Sequence, residues 1–167
     1  MDSVTVNFNE PKGCNPFQLS LELQEALAPI SSVLNLAQGE VAVQQGDSCR
    51  GVYIVRSGLV RVSMTIDAGK DIFKRILGPG TAIGLPATLC SQPYALTATC
   101  QNDCTLGFIE AAAFQEFLRT QPLLCMEVVR LMGQELSEMN DRRVNFKQCR
   151  ECGCSLVDIC EHELGRS

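Results

Sequence analysis

Apolar residues recur along this chain with two different periods. Between Phe17 and Ile30, Leu19, Leu23, Leu27 and Ile30 are spaced for one face of a helix, with Ser20 placed to cap its start and Pro29 near its end. From Gly39 to Glu110 the period falls to two. The run "LVRVSMTI" sends Val60, Val62, Met64 and Ile66 to one face and Arg61, Ser63 and Thr65 to the other, the pattern of a strand with one dry side. "GVYIVRSG" before it is apolar on both faces, which predicts a more deeply buried strand, and "TLGFIE" alternates again through Leu106 and Phe108. The punctuation "QGD", "SGL", "DAGK", "GPG", "SQP" and "QND" supplies tight turns, and no helix-length crossover separates the strands, so they should pair antiparallel.

The period lengthens once more after Glu110. "EAAAFQEFLRT" predicts a short helix with Phe114, Phe117 and Leu118 on one side, and Pro122 can open a long helix to about Phe146. In its first turns two apolar rows coexist, Leu124/Val128/Leu131 and Cys125/Val129/Met132, a wide face suited to lying on the preceding sheet. Beyond Gly133 one row continues through Leu136, Met139, Arg143 and Phe146 at spacings of three and four. Val129, Met132, Leu136, Met139 and Phe146 then form the seam of a two-helix coiled coil, and a homodimer follows; a helix folded back on its own domain fits the same pattern. The fold class predicted is α+β, mainly antiparallel β: a double-stranded β-helix (jelly-roll) barrel with short flanking helices and a long C-terminal helix. Its divisions are an N-terminal extension (1–16), the β-roll (17–121), the dimerisation helix (122–146) and a cysteine-rich tail (147–167).

Composition narrows the function classes. At 167 residues, 46% hydrophobic and 20% charged, the chain can bury one substantial core unaided. No apolar run approaches the roughly 20 residues that span a bilayer, and the start lacks the order of a secretory signal, so a cytoplasmic protein without membrane contact is expected. A net charge of −5 opposes the positive field that drives non-specific nucleic-acid binding. In the reducing cytosol its ten cysteines should be thiols rather than disulfides.

The order of elements, with the landmarks Gly39, Gly46-Asp47, Gly58 and Gly84 in register with the alternation, resembles the effector domain of the Crp/Fnr superfamily, the cyclic-nucleotide-binding β-roll. The resemblance covers roughly Phe17 to Phe146. It implies a phosphate-binding cassette between Gly84 and Cys100, in which relatives use a glutamate for the ribose and an arginine for the phosphate. Here Gly84 matches, the glutamate is Leu85, and the Arg-Ser/Thr-Ala motif reads Leu96-Thr97-Ala98. Two charge-assisted hydrogen bonds of about 1.5–3 kcal/mol each are gone, which should weaken cyclic-nucleotide binding by roughly two to four powers of ten. The degenerate pocket would comprise Gly84, Leu85, Ala87, Thr88, Leu96, Thr97 and Ala98. Thr88, Ser91, Tyr94, Thr97 and Thr99 could hold a neutral effector, or the cassette could be plain core.

Superfamily transcription factors continue from the long helix into a helix-turn-helix domain. Lys147–Ser167 is too short to supply one, so sequence-specific DNA binding by this chain is not expected. That tail holds Cys149, Cys152, Cys154, Cys160 and His162, a set able to ligate Zn²⁺ or an iron–sulfur cluster, or to remain an exposed thiol-rich segment. No nucleophile elbow or paired carboxylates mark a catalytic site, so no enzyme is expected. The function expected is a non-catalytic regulatory module acting through an unidentified small-molecule effector or protein partner; the alternative is a metal or redox sensor using the tail cysteines.

Overall fold

The computed structural model describes residues 17–65, 69 and 71–148, and of 71–73 and 138–148 the backbone alone. Among these residues the eight strands are β1 (Ser32–Leu36), β2 (Val41–Val43), β3 (Gly51–Ser57), β4 (Val60–Thr65), β5 (Asp71–Leu77), β6 (Ala82–Ile83), β7 (Thr97–Cys100) and β8 (Cys104–Glu110). Among the described residues the four α-helices are α1 (Leu21–Leu27), α2 (Leu85–Cys90), α3 (Ala111–Thr120) and α4 (Pro122–Gln148).

The Ser20 hydroxyl accepts from the Leu23 amide at 3.2 Å and starts α1, as its position predicts. The same serine donates its amide and hydroxyl to the Glu127 carboxylate, both at 2.9 Å, which fastens the start of α1 to α4. Pro29, which has no N–H, ends the α-helix in a 3₁₀ turn over Ala28–Ile30, so the predicted helix is shorter at both ends.

The strands pair antiparallel, as expected, in two four-stranded sheets ordered β1-β8-β3-β6 and β2-β7-β4-β5. These sheets do not close on each other, which corrects the predicted barrel. The edge strands β2 and β6, three and two residues long, are too short to carry a continuous ladder from one sheet to the next.

Instead the sheets are joined by packing. Val60, Val62, Leu77 and Ala98 of the second sheet meet Tyr53, Val55, Cys104 and Leu106 of the first in one buried cluster. A second cluster covers the outer face of the first sheet, where Val52, Ile54 and Ile109 pack against Leu23 and Leu27 of α1, Phe114 of α3, and Leu124 and Val128 of α4. Strand β3 is therefore buried on both faces, which is why "GVYIV" carries no polar alternation.

Candidate functional site: the cassette region

Gly84 stands immediately before α2 with φ +89°, a conformation that L side chains rarely adopt. A Cβ there would lie 2.9 Å from Tyr94 Cε1 and 3.1 Å from the Gly51 carbonyl, so the glycine also makes room for Tyr94. Tyr94 is 5% exposed and pins the region from three sides. Its hydroxyl bonds the backbone at Arg50 and Gly51, its carbonyl accepts from Gly46 at 2.8 Å, and its amide donates to Asp47 at 3.0 Å.

The predicted pocket residues lie in different surroundings. Leu85 is 1% exposed and belongs to the cluster under the helices with Phe114 and Leu124. Ala87 and Ala98 are buried between the sheets, and Leu96 packs against the same cluster. Thr97 is half-buried; its hydroxyl accepts from the Gln45 amide at 3.0 Å and from Gln44 Nε2 at 3.3 Å, which ties β7 to the end of β2. The Thr88 hydroxyl lies 3.3 Å from Cys49 Sγ, and its carbonyl accepts from Gln115 Nε2 at 3.2 Å.

Sequence reasoning passed over Pro86. It occupies the first turn of α2 and removes one backbone N–H from that helix start. The signal stood in "GLPATL" as a proline directly after the leucine that replaces glutamate. At Leu85, Leu96 and Pro86 this segment thus offers no carboxylate, no guanidinium and no backbone N–H.

A cleft of about 320 Å³ does open beside α2, but toward α3 and the loop before β3, lined among others by Cys49, Ala87, Thr88, Ser91 and Gln115. It takes two of the seven predicted pocket residues and carries no charged group in its lining. Ser91, at the end of α2, sits in the left-handed region at φ +51°.

Cysteines divide by environment. Cys100 and Cys104 are buried, Cys49 and Cys125 are half-buried, and Cys90 is exposed at the end of α2. Burial, with the Cys104 thiol beside it, pushes Cys100 from 9.0 up to about 11. Cys149, Cys152, Cys154, Cys160 and His162 lie outside the described residues, among which no cluster of His, Cys, Asp or Glu is placed to hold a metal.

On α4, Met126, Val129 and Leu136 are exposed while Leu124 and Val128 are buried. Of the predicted seam, Val129 and Leu136 face outward, and Met132 is half-buried against the domain. The side chains of Met139 and Phe146 lie outside the described residues. Among the described residues no helix is long and apolar enough to cross a membrane.

Comparison with known proteins agrees with this architecture. The catabolite activator protein of Thermus thermophilus superposes with a TM-score of 0.71 at 23% identity, over 80% of this chain and 63% of that one, a likeness of fold. Transcriptional activator protein FnrA of Stutzerimonas stutzeri is 26% identical over 126 residues, 75% of this chain and 51% of that protein. Human patatin-like phospholipase domain-containing protein 6 is 28% identical over 100 residues, 59% of this chain and 7% of that protein. This chain therefore spans about half of the one relative and a small part of the other. The family described as "Cyclic nucleotide-binding domain" matches residues 33–121, more than half of the chain. On that match the chain belongs to the cyclic nucleotide-binding domain family.

Proposed function

We propose that this chain is a non-catalytic regulatory module of the cytosol whose cassette keeps the family's shape but does not bind cyclic AMP or cyclic GMP in the family's usual way. The observation that carries this reading is the burial of Leu85 at 1% exposure within the helical core. A glutamate at this point would be an unpaired charge among Phe114, Leu124 and Val128, so the change is built into the packing.

Output passes through α4, whose exposed Met126, Val129 and Leu136 recur at spacings of three and seven with Gly133 between them, a dimer seam in which a second copy of α4 is the partner. Regulation by protein contact follows from this surface rather than from catalysis, since the cassette region brings together no nucleophile, general base and oxyanion donors.

A melting experiment tests the ligand claim. A ligand with a Kd of about 10 μM stabilises the folded state by about 2.7 kcal/mol when present at 100 times that concentration. Cyclic AMP or cyclic GMP at about 1 mM should raise the midpoint by no more than about one or two degrees; a rise of several degrees with either would overturn the reading.

A further inference from the structure

Two charged residues occupy positions where the pattern of this fold calls for apolar ones. On β5, Arg75 pairs with Val62 of β4, and Val62 pairs with Ala98 of β7, so the three lie in one row across the second sheet. Val62 and Ala98 are buried in the cluster between the sheets, as is Leu77 two residues after Arg75, so the guanidinium stem starts from the inner face of the roll. On α4 the row that packs on the domain runs Leu124, Val128, Leu131 and then Glu135.

These two exceptions meet. Arg75 Nη1 lies 4.0 Å from Glu135 Oε2, with the side chains 20% and 18% exposed. Taking two charges this far out of water is costly, and an apolar pair of similar volume would hold α4 on the sheet at least as well. Holding the helix is therefore a poor reason for the arginine. Its position supplies a better one. The cassette lost its guanidinium at Leu96, and Arg75 brings one to the same inner face, two strands from Ala98, or about 10 Å across the ladder. A planar guanidinium suits carboxylate and phosphate oxygens, and here a carboxylate oxygen lies 4.0 Å away, too far for a hydrogen bond.

We propose that Arg75 is the anion-binding group of this domain and that Glu135 is its tethered occupant. A small carboxylate or phosphate effector binds by replacing Glu135 on the guanidinium, and α4 beyond Glu135 is released when it does. The inference rests on the reading of the chain as a regulatory module and gives that module a ligand class.

The test is anion rescue in the full chain. Glu135→Ala should melt below wild type, and acetate or inorganic phosphate should restore the midpoint saturably, while chloride at equal ionic strength does not. The acetate and phosphate arms distinguish a carboxylate from a phosphate effector. In Glu135→Ala/Arg75→Met neither anion should act. No response to either anion in Glu135→Ala, or an equal response in the double variant, overturns the proposal. Should Glu135→Ala not fold, Glu135→Gln takes its place with hydrogen exchange as the readout: backbone amides of 136–148 should exchange at least tenfold faster than in wild type, and unchanged exchange overturns the proposal. Neither result depends on whether wild type binds a cyclic nucleotide, so the two readings fail separately.

Discussion

The Tyr94 hydroxyl donates to the Gly51 carbonyl at 2.8 Å and accepts from the Arg50 and Gly51 amides at 3.1 and 3.2 Å. One side chain thus uses its full bonding capacity to fix the far end of the cassette against the first turn of β3. Tyr94→Phe leaves buried backbone groups without their partner and should cost about 1–3 kcal/mol in urea unfolding with the fold retained. Burial also pushes this phenol from 10.0 up to about 12. Because the folded state holds the proton more tightly, the stability it contributes is complete below pH 10 and is lost as pH rises through about 12. Wild type should therefore lose stability over that window more steeply than Tyr94→Phe. Parallel curves would show that Tyr94 is not the titrating group.

Gly84 and Gly46 separate backbone strain from steric contact. Both have φ near +90°, but a Cβ at Gly46 meets nothing within 4 Å, whereas one at Gly84 meets Tyr94 at 2.9 Å. Gly46→Ala should cost about 1–2 kcal/mol from the left-handed conformation alone. Gly84→Ala should cost measurably more by thermal or urea unfolding. Equal costs would show that Tyr94 yields freely.

The β-roll was legible in the chain because its strands are amphipathic in the ordinary way. Val60 and Val62 inward with Arg61 outward is both the sequence pattern and the structure. Ser20 and Pro122 marked helix starts for local reasons of capping and proline geometry. The cassette chemistry was legible only as subtraction. That Leu85 faces the helices and Thr97 serves Gln45 depends on tertiary packing, which no local pattern encodes. Arg75 is an intermediate case: "DIFKRIL" places it in phase with Leu77, so an inward charge could be read once the strand register was known.

Thiol reactivity should follow exposure. Cys90 is exposed, while Cys100 is 2% exposed and its thiol is pushed up to about 11. At pH 8, iodoacetamide should modify Cys90 at least tenfold faster than Cys100 in native protein, read by peptide mass mapping. Comparable rates would contradict the burial of Cys100.

The α4 surface makes a separate claim about assembly. Val129 and Leu136 are 54% and 62% exposed, so a charge at either costs the isolated domain little. Val129→Glu or Leu136→Glu should halve the mass seen by light scattering with the β-roll's far-ultraviolet spectrum intact. A wild type that is already monomeric would remove the seam.

Calorimetric titration of wild type with cyclic AMP and cyclic GMP tests the account most directly. Without the carboxylate, the guanidinium and one helix-start amide, binding should fall to a Kd of about a millimolar or weaker, with no saturable heat at micromolar ligand. Micromolar binding of either nucleotide that Leu85→Ala or Thr97→Ala abolishes would contradict it.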